Sequence, residues 1–171
     1  QTNVVGTDNL FSALTDLDHC EEIRVVQASS ASIYGLVNKN ELPIKESQVC
    51  RPMTSYAISK LAQDYLGFSK WRRNGLGVIS SRIFNTLGPN QPGNLVPMTF
   101  IKQLLKVKAG VSDRLKVGNT SSRRDFVDVR DIVRAFDALM KRGQQGEVYN
   151  VGSGNDVSIQ EIIDKLLIIS G

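Results

Sequence analysis

Ile23-Arg24-Val25-Val26-Gln27-Ala28-Ser29 is a short run rich in β-branched residues, free of glycine and proline, and it reads as a buried strand. Ahead of it Val4, Val5, Leu10, Phe11, Leu14 and Leu17 fall near helical spacing, so a helix feeds the strand. Behind it residues 35–53 are polar and carry Pro43 and Pro52, the composition of a loop. Thr54 to Arg73 then restores helical spacing through Tyr56, Leu61, Tyr65, Leu66 and Phe68. Gly77 to Phe84 is the next apolar run, opening into a turn-rich stretch with Gly88, Pro89, Pro92 and Gly93. Further on, the pattern predicts a helix around Val96 to Lys108 and a short strand at Leu115 to Val117. A helix from about Asp128 to Lys141, a strand at Val148 to Val151 and a helix from Ser158 follow. Such alternation predicts an α/β fold with a mostly parallel sheet and helices on both faces. Ligands in such sheets bind beyond the carboxyl ends of the strands, which points to Ser29–Gly35 and Phe84–Gly93.

The composition, 41% hydrophobic and 22% charged over 171 residues, fits one soluble domain or a large piece of one. The formal charge of +4 favours phosphate-bearing partners mildly and does not mark a nucleic-acid binder. Lys70, Trp71, Arg72 and Arg73 could form a phosphate patch with a stacking aromatic, but their place at a helix end suits cations at the negative pole of the helix dipole. Cys20 and Cys50 form no CxxC and His19 stands without metal-ligand neighbours, so no disulfide framework or metal site is expected. No apolar run approaches the roughly 20 residues of a membrane span, and no signal-peptide pattern opens the chain. The expected setting is cytoplasmic, without membrane or nucleic-acid partners.

Tyr56 and Lys60 are four apart on a predicted helix and therefore share a face. A neighbouring ammonium favours the phenolate of a tyrosine, which makes the phenol a usable acid or base. Ser30 lies just past the predicted strand end, where a hydroxyl can hydrogen-bond a substrate oxygen. A Tyr–Lys pair alone is more readily the product of an amphipathic surface than of a catalytic site.

Ser29-Ser30-Ala31-Ser32-Ile33-Tyr34-Gly35, followed by Arg51-Pro52-Met53-Thr54-Ser55-Tyr56-Ala57-Ile58-Ser59-Lys60, resembles the extended short-chain dehydrogenase/reductases of the NAD-dependent epimerase/dehydratase family. Asn3-Val4-Val5-Gly6-Thr7, Arg82-Ile83-Phe84-Asn85 and Arg124-Asp125-Phe126-Val127-Asp128-Val129 continue the resemblance over nearly the whole chain. It implies a Rossmann-like, doubly wound parallel sheet, with residues 1–85 in the later part of the dinucleotide-binding domain and 86–171 in a mixed Rossmann and substrate-binding region. It also implies NAD or NADP as cofactor and a nucleotide-diphosphate sugar as substrate. Tyr56 would be the acid/base, Lys60 would hold the nicotinamide ribose, Ser30 would bind the reacting oxygen, and Ile83 would lie on the cofactor side. Asn85, Asn94 and Arg124, with Lys102 as a further candidate, would hold the diphosphate, a role suited to amides and to a forked guanidinium. Each has a plainer use: Asn85 in a turn, Asn94 as a helix cap, Arg124 in a surface pair with Asp125 or Asp128. A homodimer through helices 2–17 and 54–73 is implied as well.

Val117-Gly118-Asn119, Gly146-Glu147-Val148-Tyr149-Asn150-Val151 and Ser158-Ile159-Gln160-Glu161 resemble the GDP-mannose branch, which contains 4,6-dehydratases and 4-keto-6-deoxy-mannose reductases. The dehydratases resemble one another in a glutamate two residues beyond the catalytic hydroxyl. This chain has Ser32 there, which cannot serve as a second base at neutral pH. Ketone reduction is therefore expected first, 4-epimerisation of a nucleotide sugar second, and non-catalytic sugar-nucleotide binding third. The third arises because neither GxGxxG nor GxxGxxG occurs here, and the Gly152-Ser153-Gly154-Asn155 turn is no substitute. The resemblance puts the glycine turn before Gln1, so the chain is expected to be the central part of a longer enzyme.

Overall fold

The computed structural model describes residues 2–91 and 95–170. In chain order the elements are α1 (Thr7–Thr15, entered through a π-helical turn at Thr2–Gly6), β1 (Arg24–Ser30), α2 (Ser55–Asn74), β2 (Gly77–Ile83), β3 (Asn85–Leu87) and α3 (Val96–Lys108). They continue as β4 (Arg123–Asp128), α4 (Val129–Arg142), β5 (Val148–Val151), β6 (Asp156–Ser158) and α5 (Ile159–Ser170). The chain divides into two compact units, residues 1–84 with 130–151, and residues 85–129 with 152–171.

The first unit is a parallel sheet in the order β1-β2-β5 with helices on both faces, a Rossmann-like fragment. Strand alternation settles which helix lies where. Val78 and Ser80 turn toward α2, where a Cβ on Gly67 would sit 2.8 Å from Val78 Cγ1 and the Ser80 hydroxyl donates to Asp64. Ile79 turns the other way, its Cδ1 3.1 Å from the same construction on Gly143 after α4. The core on the α2 side joins Phe11, Leu76 and Val78 to Leu14, Ile23 and Val25. Arg24 ends α4 by donating to the carbonyls of Leu139, Met140 and Gly143, of which that of Leu139 also accepts the Gly143 N–H at 2.8 Å. Residues 70–74 close α2, where the Lys70 ammonium donates to Ser12 Oγ at 2.8 Å and Gly75 takes the left-handed C-cap at φ +78°.

The second unit pairs β3 with β4 in parallel and β4 with β6 antiparallel, and packs Phe100 of α3 against Ile159 and Ile163 of α5. The strand expected at Leu115–Val117 is absent. Instead, Gln103 of α3 gives its amide oxygen to the Lys116 N–H (2.7 Å) and its amide N–H to the Lys116 carbonyl (3.2 Å). One side chain thus satisfies the backbone that a neighbouring strand would otherwise pair. Among the described residues no helix is long and apolar enough to cross a membrane.

Candidate active site

Thr54 starts α2 by accepting the Ala57 N–H on its hydroxyl at 3.1 Å, which sets Tyr56 in the first turn and Lys60 in the second. The helix runs antiparallel to the strands: Lys60 reaches Ala28, Asp64 reaches Gln27 and Ser80, and Gly67 lies over Val78. The N-terminal turn of α2 therefore stands at the carboxyl ends of β1 and β2, where Ser30 and Ile83 are register partners. The three expected catalytic residues, Ser30, Tyr56 and Lys60, and Ile83 are thus gathered at one end of one sheet.

Their donors are arranged unequally. The Ser30 hydroxyl accepts the Ser32 N–H at 3.2 Å and lies 2.9 Å from the Ser32 hydroxyl. If both lone pairs are filled from Ser32, the proton of Ser30 is left to donate outward. Lys60, half-buried, donates to the Ala28 carbonyl at 2.8 Å and to Gln63 Oε1 at 3.1 Å, so its ammonium keeps a third N–H. Burial pushes the Lys60 pKa below the ordinary 10.5, against the opposing pull of the Asp64 carboxylate. The native state therefore holds fewer protons than the unfolded chain in the window from the lowered value up to 10.5, and this group's contribution to stability rises with pH across it. Amine labelling of Lys60, followed by mass spectrometry, should accordingly reach half its maximum below pH 10.5; a midpoint at or above that value contradicts the burial.

Tyr56 is 53% exposed, and its hydroxyl has no hydrogen-bond partner among the described residues. The loop leading to it is set by Gly35, whose φ of +68° suits glycine and whose position would drive a Cβ into the Arg51 carbonyl oxygen. Gly35→Ala should cost about 2–3 kcal/mol, read as a lowered denaturant midpoint of the intact protein. An unchanged midpoint would remove that close approach from the account.

The remaining candidates lie in the second unit. Asn85 donates from Nδ2 to the Asp125 carbonyl at 3.0 Å, so part of its amide is spent tying β3 to β4. Arg124 and Lys102 are exposed, and the Arg124 guanidinium donates to the Arg123 carbonyl at 2.7 Å. Asp125 instead receives the Ser153 and Gly154 N–H groups, and it is Arg123 that pairs with Asp156 and Glu161. Asn94 lies outside the described residues.

A buried polar network behind the triad escapes sequence reading. Asp64, 1% exposed, accepts from Gln27 (3.1 Å), Ser80 (2.6 Å) and Arg82 Nε (3.2 Å). Arg82 Nη1 continues to the Tyr34 hydroxyl at 2.9 Å, and Tyr34 donates to Asn150 at 2.7 Å. The one available signal was Asp64 itself, an acid four residues past Lys60 and so on the stripe of Tyr56 and Lys60.

The family model described as GDP-mannose 4,6 dehydratase matches residues 1–169. The chain belongs to the GDP-mannose 4,6 dehydratase family. Within it, the chain is 36% identical over 167 residues to GDP-6-deoxy-D-mannose reductase of Pseudomonas aeruginosa, covering 97% of this chain and 54% of that protein. The solved structure of RMD from Pseudomonas aeruginosa complexed with NADPH superposes with a TM-score of 0.91 at 36% identity, over 98% of this chain and 56% of that one. UDP-glucuronic acid 4-epimerase from Bacillus cereus, in complex with UDP-glucuronic acid and NAD, is similar with a TM-score of 0.85 at 26% identity, over 99% and 51%. The chain spans about half the length of the curated relatives it matches. The similar structures hold NADPH or NAD; here the Lys60 ammonium keeps a spare N–H, and Ser30 and Tyr56 carry hydroxyls at the same end of the sheet, polar groups of a kind that a nicotinamide dinucleotide can use.

Proposed function

We propose that the intact protein is an NAD(P)-dependent nucleotide-sugar oxidoreductase that reduces the 4-keto group of a GDP-4-keto-6-deoxy sugar. Ser30 donates a hydrogen bond to the ketone oxygen and Tyr56 delivers its proton to that oxygen as the alcohol forms. Lys60 holds the ribose and places a positive charge beside the tyrosine. The nicotinamide, when bound, supplies the hydride to the carbonyl carbon. Hydride and proton together convert C=O to CH–OH, and no second base is needed.

Ser32 carries this reading. A dehydratase needs a further base to take a proton next to the carbonyl, and the side chain at this position is a hydroxyl turned onto Ser30 at 2.9 Å. Epimerisation of a nucleotide sugar needs only the same triad, and the similarity to the 4-epimerase supports it as the second reading. In the second unit, Asn85, Lys102 and Arg124, with Asn94, are proposed to take the nucleotide diphosphate.

Incubating the intact protein with NADPH and GDP-4-keto-6-deoxy-mannose separates the two. A reductase consumes NADPH in proportion to sugar reduced. An epimerase interconverts a UDP- or GDP-hexose with no net change in nicotinamide, and that result would replace the first reading by the second.

A homodimer through helices 2–17 and 54–73 belongs to the same proposal. Val5, Leu10, Leu17, Ile58 and Tyr65 on these segments are each more than half exposed, an apolar load that a second copy would cover. Sedimentation of the intact protein should give twice the monomer mass; a monomer rejects the dimer.

A further inference from the structure

The Asp64–Arg82 pair is buried, with side chains 0% and 7% exposed, and it sits directly under the triad. A buried ion pair is a poor stabiliser, because removing both charges from water costs about what their attraction returns. What such a pair adds is direction. A carboxylate accepts along fixed lone pairs, and a guanidinium donates in a rigid planar fork.

We propose that Asp64, Arg82 and Tyr34 are positioning residues for the triad, with Asp64 setting α2 against the sheet and Arg82 holding the turn after β1 through the Tyr34 hydroxyl. The inference rests on the reading that Ser30, Tyr56 and Lys60 handle the proton. Each link is visible. Asp64 lies one turn beyond Lys60 and grips both strands, Gln27 on β1 and Ser80 and Arg82 on β2. Gly67, a further turn on, lets the helix approach so closely that a Cβ there would meet Gln27 Oε1 at 3.0 Å. The axial position of Tyr56 and Lys60 over the strand ends is thereby set from below.

The other arm leaves from Arg82. Its Nη1 donates to Tyr34 at 2.9 Å and to the Glu46 carbonyl at 3.0 Å, with the guanidinium carbon 5.1 Å from the Tyr34 ring centroid. Tyr34 ends the short 3-10 turn Ala31–Tyr34 for which Ser30 is the N-cap. Burial raises the Tyr34 pKa despite the hydrogen bond from Arg82, so the hydroxyl keeps the proton that it gives to Asn150 of β5 at 2.7 Å. Ser30 and Ser32, whose hydroxyls lie 2.9 Å apart, belong to the turn that this arm holds, so its position sets the direction of the Ser30 hydroxyl.

Tyr34→Phe removes one hydroxyl and leaves the ring packed, which makes it the decisive variant. In the intact protein, kcat for NADPH-dependent reduction of GDP-4-keto-6-deoxy-mannose should fall about tenfold with KM changed less than about twofold, the mark of a misaimed catalytic group. Amide exchange should quicken in residues 31–35 and stay unchanged in 77–83. An unchanged kcat overturns the proposal, as does a loss matched by faster exchange throughout β2, which would mean general loosening. Should the wild type leave this keto sugar untouched, the reductase reading fails by itself. The exchange measurement then decides alone: selective loosening of 31–35 upholds the positioning role, and an unaltered turn rejects it.

Discussion

Replacing Tyr56 by phenylalanine should lower kcat of the intact protein by a factor of about 10² to 10⁴ and leave its stability within about 0.5 kcal/mol of wild type. The two halves of this expectation have separate causes. The hydroxyl is bonded to nothing among the described residues and the side chain is 53% exposed, so the fold loses little when the oxygen goes. In the proposed reduction the new alcohol then has no positioned acid, since Ser30 is assigned only a hydrogen bond and the spare N–H of Lys60 is assigned to the ribose. A factor of 10² to 10⁴ corresponds to about 3–5 kcal/mol of barrier. Rates and thermal midpoints measured on the same preparations check both halves, and near-wild-type turnover by the variant would remove Tyr56 from the chemistry.

Asp64→Ala should cost about 3–5 kcal/mol, a large part of the roughly 5–15 kcal/mol that stabilises a typical domain. The substitution leaves the Arg82 guanidinium buried without its counter-charge and strips an acceptor from Gln27 and Ser80 at once. The double variant Asp64→Leu with Arg82→Met takes away both charges, keeps apolar volume, and should lose markedly less than the single one. Denaturant unfolding of the intact protein with both variants tests this. Equal losses would show that the ion pair is not the source of the cost.

The strand expected at Ile23–Ser29 was legible because the run is rich in β-branched residues, and that at Val148–Val151 because a short apolar run lies between Gly146 and Gly152. The helix at 96–108 was legible because its apolar residues repeat at helical spacing. β3 and β6, three residues each, were not: segments so short carry no period. β4 was hidden differently: although it is the middle strand of its sheet, it opens with the charged Arg123-Arg124-Asp125, whose two arginines are exposed. At Leu115–Val117 an apolar local pattern suggested a strand, and a single glutamine side chain took the place of the missing partner.

The site divides along the same line. Tyr56 and Lys60 are neighbours in sequence and could be paired by helical spacing, while Ser30 joined them through the family resemblance and the rule for strand ends. Beyond the place of Asp64 on the stripe of Tyr56 and Lys60, the network beneath them was out of reach of local pattern. Its contacts join residues 16 apart at Asp64–Ser80 and 116 apart at Tyr34–Asn150, and only the folded sheet brings these together. Ser32 was read as the absence of a base; the 2.9 Å contact of its hydroxyl with that of Ser30 is a feature that sequence does not show.

The most direct test of the central claim is the transfer of label from NADPH carrying deuterium at the transferring position of its nicotinamide to GDP-4-keto-6-deoxy-mannose, catalysed by the intact protein. The account predicts one deuterium on C4 of the sugar for each NADPH oxidised, and about a hundredth of that label or less when Tyr56→Phe is used at equal concentration over the same time. Sugar product without deuterium at C4, or label transferred as fast by the variant, would contradict it.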